Sequence, residues 1–320
     1  GDEVERIIRA TDPAADVAVV SNPEFLREGV AIEDFRHPDR IVIGIEEERA
    51  RAPMAELYRS LTDAGALILF TSRRSAELTK YAANAFLAMK VTFINEIADL
   101  AEKAGADVED IARGIGLDAR IGGRFLRPGP GFGGSCFPKD ALALTRIGEE
   151  LGSPLRLIET TMAINDERKR RTGRKVIAAC GGDVSGRTIA VLGLTFKPDT
   201  DDMRAAPSLD MIATLQRGGA KVVAYDPEGM DAARELLPDV AFGSGPYDVA
   251  TGADAIGIVT EWEAFRSLDL ARLESVMRAP VMVDLRNIYH RAEVEAAGFT
   301  YDCIGRPSGA GQKPLIGQAT

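Results

Sequence analysis

The chain has 320 residues, 45% of them hydrophobic, and its 49 Asp and Glu against 39 Lys and Arg give a formal net charge of -10. That length can hold two or three cores, and the acidic balance excludes a general binder of nucleic-acid phosphates, so an anionic ligand must be met by local cations. No apolar run approaches the ~20 residues that cross a bilayer, and the charged opening has no secretory pattern, so the expectation is a cytoplasmic protein with no membrane partner.

From Ala15 to Phe70 short apolar runs predict strands at Val17–Ser21, Arg40–Gly44 and Ala66–Phe70, with a helix from about Glu47 to Leu61. A parallel sheet needs a first strand and a crossover helix, and Gly1 stands where such a domain would already be half built. Ser72 to Ala104 contains no Gly or Pro and repeats Leu78, Ala82, Phe86, Met89, Phe93, Ile97 and Leu100 at helical spacing, which predicts one long amphipathic helix. Further helices are expected at Asp107–Gly114, from Asp140, and at about Leu155–Ala179, with a Gly/Pro-rich stretch at Gly122–Gly134 between them. The charge run Arg168–Lys175 reads as a solvated helix surface. Arg187–Leu194, a helix near Ser208–Arg217 and Ala220–Asp226 then form a βαβ unit, continued by strands at Asp254–Thr260 and Pro280–Leu285. The end from Gly305 to Thr320 reads as frayed.

The three cysteines, Cys136, Cys180 and Cys303, are far apart and lack metal-ligand spacing, so neither a metal site nor a disulfide framework is expected. Cys136 differs from the others in its setting, Gly131 to Asp140, where three glycines let the backbone approach a ligand and Lys139 and Asp140 follow the thiol. With a helix beginning near Lys139, the thiol would lie just ahead of a positive helix end, which favours a nucleophilic thiolate. Lys80 and Asn84 share one helix face, and Glu24 and Glu28 could share one side of a helical turn; by themselves these pairs also read as a solvated surface and a helix-entry turn. Asp226 ends a strand where a ribose-binding acid often sits, yet the turn after Gly193 runs Leu194-Thr195-Phe196-Lys197, without the further glycines that let a pyrophosphate reach a helix end. Lys197, Arg204 and Arg286 would supply charge for a different diphosphate.

SNPEFLREG (from Ser21), KYAANAFLAMK (from Lys80), INEIADL (from Ile94), GFGGSCFPKD (from Gly131), GLTFKPDTDDMRAAPS (from Gly193) and VTEW (from Val259) together resemble the UDP-glucose/GDP-mannose dehydrogenase family, most closely its members acting on UDP-glucose. The resemblance spans nearly the whole chain and implies an α/β fold with two Rossmann-like parallel-sheet domains joined by a central helical dimerisation domain. The expected division is 1–71 for NAD, 72–182 for dimerisation and catalysis, and 183–320 for the UDP-sugar. The family's opening strand with its GxGYVG fingerprint is not in the sequence, so the first domain is expected to be truncated and NAD turnover by this chain alone impaired.

The implied reaction takes the C6 alcohol of UDP-glucose to the carboxylate with two NAD, through a thiohemiacetal and a thioester on Cys136, and so makes UDP-glucuronate for polysaccharide synthesis. The resemblance places Lys80 and Asn84 at the reacting oxygen and gives acid/base work to Asp140 and Glu24. It assigns Phe25, Leu26, Arg27, Glu28, Arg127, Pro128, Gly129, Pro130, Gly131, Phe132, Gly133, Phe196, Lys197 and Arg286 to the sugar nucleotide. Arg120 would reach the site of a neighbouring subunit in a homodimer, and Glu28, Lys139 and Arg204 would face NAD. A relative acting on GDP-mannose or a UDP-N-acetyl sugar, or a chain that binds UDP-sugar without turnover, is the alternative.

Overall fold

A computed structural model describes residues 1–307. In chain order the elements are α1 (Asp2–Thr11), α2 (Ala31–Arg36), β1 (Ile41–Gly44), a 3-10 turn (Glu48–Ala50), α3 (Arg51–Leu57), α4 (Arg59–Asp63), β2 (Ile68–Thr71), α5 (Arg73–Ala104), α6 (Val108–Gly116), α7 (Cys136–Glu150) and α8 (Arg156–Ala179). There follow β3 (Thr188–Leu192), α9 (Pro207–Arg217), β4 (Lys221–Tyr225), α10 (Met230–Leu236), β5 (Ala241–Phe242), α11 (Pro246–Ala250), β6 (Ala255–Ile258), α12 (Glu263–Arg266), α13 (Leu270–Val276), β7 (Val281–Asp284), α14 (Arg291–Ala296) and β8 (Thr300–Cys303). The fold is α/β with parallel sheets, and the chain forms two compact units, Gly1–Ala85 and the part from Phe86 onward.

In the first unit β1 and β2 pair in parallel, Ile41 opposite Ile68 through Gly44 opposite Thr71, with α3 and α4 as the crossover. Gly44 is required because a Cβ there would lie 2.6 Å from the Cα of Arg73 at the start of α5. The strand expected at Val17–Ser21 does not form: only Ser21 exchanges backbone bonds, antiparallel, with Gly44. A strand needs a neighbour's ladder of amides, and β1 offers this segment one pair. The helix expected from Glu47 to Leu61 starts later and is interrupted at Tyr58. Pro53 has no N–H to give and is tolerated in the first turn of α3, which suits a start at Arg51.

The second unit holds a six-stranded parallel sheet in the order β5-β4-β3-β6-β7-β8. Counted within the sheet this is 3-2-1-4-5-6, so the connections diverge at β3 and β6, whose carboxyl ends open a crevice where ligands of such sheets bind. Strands β3 and β6 are almost wholly buried and read as unbroken apolar runs, as a sheet covered on both faces demands. Helix α9 packs on α8 where Gly173 leaves room for Thr214 and Met211. On α5 the repeat Leu78, Phe86, Phe93 and Leu100 is exposed rather than core; the buried face is Ala85, Ala88, Ile94, Ala98 and Ala101. At the chain's end Gly305 gives its N–H to Glu102 at 2.8 Å and Arg306 pairs with Glu109 at 2.5 Å, so these two residues are tied down rather than frayed. The remainder of that expectation, residues 308–320, lies outside the described residues.

Candidate active site

The loop from Gly129 to Gly134 is buried throughout and is held by side chains from two helices. On α5, Asn95 accepts the N–H of Gly129 at 2.8 Å; on α8, Asn165 accepts the N–H of Phe132 at 2.8 Å and donates to its carbonyl at 3.0 Å. Arg168 donates to the carbonyl of Gly129 at 3.0 Å and pairs with Asp99, while Lys169 donates to the carbonyl of Ala205 at 3.0 Å. The charge run was expected to be solvated, and for Arg168 and Lys169 that is wrong: both are buried. Residues 165, 168 and 169 share one helix face, so a partner to be satisfied there turns part of the run inward. Burial pushes the Lys169 ammonium below the ordinary lysine range, with Asp166 and Asp210 opposing the shift.

The loop delivers Cys136 as the first residue of α7, which begins there rather than near Lys139 or Asp140. Its thiol is exposed, 3.6 Å from the hydroxyl of Ser135, whereas Cys180 and Cys303 are buried and burial raises their thiol pKa, that of Cys303 to about 11. Asp140 lies one turn beyond Cys136 and is buried, with the exposed ammonium of Lys139 at 3.5 Å. A buried carboxylate one turn from an exposed thiol at a helix start is an arrangement suited to nucleophilic and acid/base chemistry.

At the crevice between β3 and β6 the ring of Phe196 covers Gly134, where a Cβ would come within 2.8 Å of it, and Lys197 lies 5.5 Å from that ring. Arg286 reaches across from the end of β7: it donates to the carbonyls of Val259 at 2.7 Å and Phe196 at 3.2 Å, and stands 3.0 Å from the carboxylate of Glu261. Burial works to raise the Glu261 pKa, but the charge of Arg286 prevails and lowers it. Arg127 approaches the carbonyl of Arg286 at 3.5 Å, and Gly129 is close enough that a Cβ would be 3.0 Å from the Arg286 guanidinium. Arg204 pairs with Asp202 at 2.9 Å. Arg120 is 88% exposed and folds back on Asp118. Asp226 is not available to a ribose: it is fully buried and accepts the N–H groups of Leu194, Thr195, Glu228 and Gly229 and the indole of Trp262.

Within the first unit, Lys80 donates to the carbonyl and the carboxylate of Glu24, at 2.5 and 2.9 Å, and lies 5.5 Å from the ring of Phe25. Its side chain is only 16% exposed and Asn84, one turn on, is buried, so the reading of this pair as plain surface fails. Residues 24–28 form no helical turn, so the expected i,i+4 pairing of Glu24 and Glu28 on one helical side has no basis; Leu26 instead gives its N–H to Glu24. Arg27 pairs with Asp34 at 2.6 Å.

Three family models match the chain: the NAD binding domain of the UDP-glucose/GDP-mannose dehydrogenase family over residues 1–62, its central domain over 74–167 and its UDP binding domain over 190–291. A UDP-glucose 6-dehydrogenase of Rhizobium meliloti (strain 1021) is 62% identical over 309 residues, covering 96% of this chain and 71% of the relative. The chain belongs to the UDP-glucose/GDP-mannose dehydrogenase family. A second UDP-glucose 6-dehydrogenase, from Bacillus subtilis (strain 168), is 45% identical over 92% of this chain and 64% of its own length. The solved structure of a UDP-glucose dehydrogenase from Pyrobaculum islandicum matches with a TM-score of 0.84 at 38% identity, over 93% of this chain and 66% of that one. The chain thus spans about two thirds of the length of these relatives. The match of residues 1–62 shows that part of the family's NAD binding domain is represented in the chain.

For a dehydrogenase of this family the donor set suits an anionic dinucleotide in one respect, the exposed cation of Lys139 in the first turn of α7. No Gly-x-Gly turn joins a strand to a helix among residues 1–72, so a pyrophosphate seat of that kind is not among them. No helix among the described residues is long and apolar enough to cross a membrane.

Proposed function

We propose that the protein is a UDP-glucose 6-dehydrogenase that oxidises the C6 alcohol of UDP-glucose to the carboxylate with NAD, using Cys136 as covalent catalyst. The observation that carries this reading is the exposed thiol at the start of α7, at the end of a clamped glycine loop and one turn from buried Asp140. The 62% identity to a protein of that name supports the choice of substrate.

NAD, when bound, takes up a hydride in each of two oxidation rounds. Between them the sulfur of Cys136 attacks the C6 aldehyde; a C–S bond forms, and the carbonyl pair moves onto oxygen to give a thiohemiacetal whose tetrahedral carbon keeps the aldehyde hydrogen, now able to leave as a hydride. Lys80 and Asn84 are assigned, from the family resemblance, to the negative charge on that oxygen, a contribution of about 3 kcal/mol each at such positions. After the second oxidation the carbon is a thioester; water adds, the C–S bond breaks, and the thiolate and carboxylate are released. Glu24 aids the attacking water, and Asp140 holds or orients a proton during the oxidation steps. Phe25, Leu26, Arg27, Glu28, residues 127–133, Phe196, Lys197 and Arg286 bind the sugar nucleotide, and Glu28, Lys139 and Arg204 face NAD.

The division into 1–71, 72–182 and 183–320 is part of this reading, as are a cytoplasmic location and a homodimer through the central helices. The dimer is supported by the exposed apolar edge Phe86, Phe93 and Leu100, spaced seven apart on α5, and by exposed Arg120, which the dimer would bring to a neighbour's site. In the full-length protein, NADH production from UDP-glucose is expected to exceed that from GDP-mannose or UDP-N-acetylglucosamine by at least tenfold in kcat/KM. Calorimetric binding of UDP without NADH from any of the three would contradict the proposal.

A further inference from the structure

We infer that Asn165, supported by Lys169, is a positioning residue that fixes the thiol of Cys136 where it can capture the aldehyde before it escapes. The inference rests on the covalent chemistry proposed above, and its basis is the way one turn of α8 grips the segment leading to the cysteine.

Asn165 is only 2% exposed and its amide brackets one residue, accepting the N–H of Phe132 at 2.8 Å and donating to the Phe132 carbonyl at 3.0 Å. Gly131 is seated against the same turn: with φ +116 and a would-be Cβ 3.0 Å from the Asn165 oxygen and 3.1 Å from Lys169 Cγ, only glycine fits. Lys169 reaches past the loop to the carbonyl of Ala205 at 3.0 Å, so one helical turn holds both the loop and the strip behind it. That strip closes the other side. Gly134 gives its N–H to the carbonyl of Arg204 at 2.7 Å, and a Cβ at Gly133 would overlap the carbonyl of Ala205. From Phe132 the path to sulfur is short, because its ring meets the ring of Phe137 edge-on at 5.8 Å and Phe137 adjoins Cys136.

A loop with four glycines in six residues has little stiffness of its own, so the sulfur's location is set by what grips it. A misplacement of ~1 Å at a reacting atom costs on the order of a hundredfold in rate. A free aldehyde is the species that a misplaced thiol fails to catch, and each lost aldehyde leaves one NADH with no carboxylate.

The test is Asn165→Asp in the full-length protein, a change of equal size that keeps the acceptor for the Phe132 N–H and loses the donor to its carbonyl. Carboxylate formation should fall at least tenfold, NADH formed per carboxylate should rise above two, and semicarbazide should capture the aldehyde. A variant merely less folded would be slower with the ratio still at two, and that result overturns the inference. Should Asn165→Asp fail to fold, Lys169→Met, which loses the tie to Ala205 at similar volume, is expected to raise the same ratio, and a ratio of two in it is equally contrary. Iodoacetamide reports independently of the reaction: the rate at Cys136 should change at least threefold in Asn165→Asp, and an unchanged rate counts against positioning. If the parent protein makes no NADH from UDP-glucose, the proposed activity fails while the iodoacetamide comparison still decides the role of Asn165.

Discussion

Cys136→Ser in the full-length protein is expected to lower UDP-glucuronate formation by at least a thousandfold while UDP affinity, measured by calorimetry, changes less than threefold. The thiol is exposed and the replacement is nearly isosteric, so neither the fold nor the crevice between β3 and β6 is disturbed. What changes is the chemistry. A hydroxyl is a far weaker nucleophile than a thiol near neutral pH, and an alkyl ester, if it formed, would be a poorer acyl donor to water than a thioester. If the serine variant retains a tenth of the parent rate, Cys136 is not the covalent catalyst.

Asp226→Ala is the change with the largest expected effect on stability. Asp226 sits at the end of β4, fully buried, and its two oxygens gather four backbone N–H groups and the indole of Trp262. Removing the carboxylate strands several buried donors at once; with about 1–3 kcal/mol for each unsatisfied group and incomplete additivity, the expected loss is about 4 kcal/mol. For a chain of this size that corresponds to a fall in Tm of roughly 6 °C. Weaker UDP binding should accompany it, because the released amides of Leu194 and Thr195 immediately precede Phe196 and Lys197. Thermal denaturation of the variant beside the parent checks this, and a Tm within 2 °C would show that water replaces the carboxylate readily.

The contrast between these two residues indicates what the sequence makes legible. Cys136 stands out because glycines, a thiol, Lys139 and Asp140 in one short run are costly to a purely structural loop, and it proves to be exposed at a helix start. Strands β3, β4, β6 and β7 are equally plain, since continuous apolar runs bounded by turns have few other uses in an α/β chain. β5 and β8 escape: β5 is two residues long, and β8, Thr300–Cys303, mixes polar and apolar residues at the sheet edge. The apolar repeat on α5 identifies the helix correctly but not its buried side, because the buried face is lined largely by alanines that allow close approach and the bulky residues lie on the exposed one.

The clamp is harder to read still. Asn95, Asn165, Arg168 and Lys169 are polar residues whose partners are loop carbonyls and amides more than 30 positions away, and local charge patterning cannot distinguish an inward cation from a solvated one. The spacing of 165, 168 and 169 on one face was the available signal, and it becomes decisive only once a glycine-rich loop with unsatisfied peptide groups is known to need a surface to lie on. Asp226 is half legible: the turn after Gly193, without further glycines, already argues against a dinucleotide at this strand end, but nothing local shows that the sheet uses the carboxylate to knit its own connections.

The most direct measurement of the covalent account is acid quenching of the full-length protein during turnover with UDP-glucose and NAD, followed by mass analysis of the peptide containing Cys136. The account predicts a sugar-nucleotide thioester on that cysteine, absent without NAD and absent from the peptides of Cys180 and Cys303. Steady carboxylate production with an unmodified Cys136 peptide at every quench time, and unchanged turnover in Cys136→Ser, would contradict it.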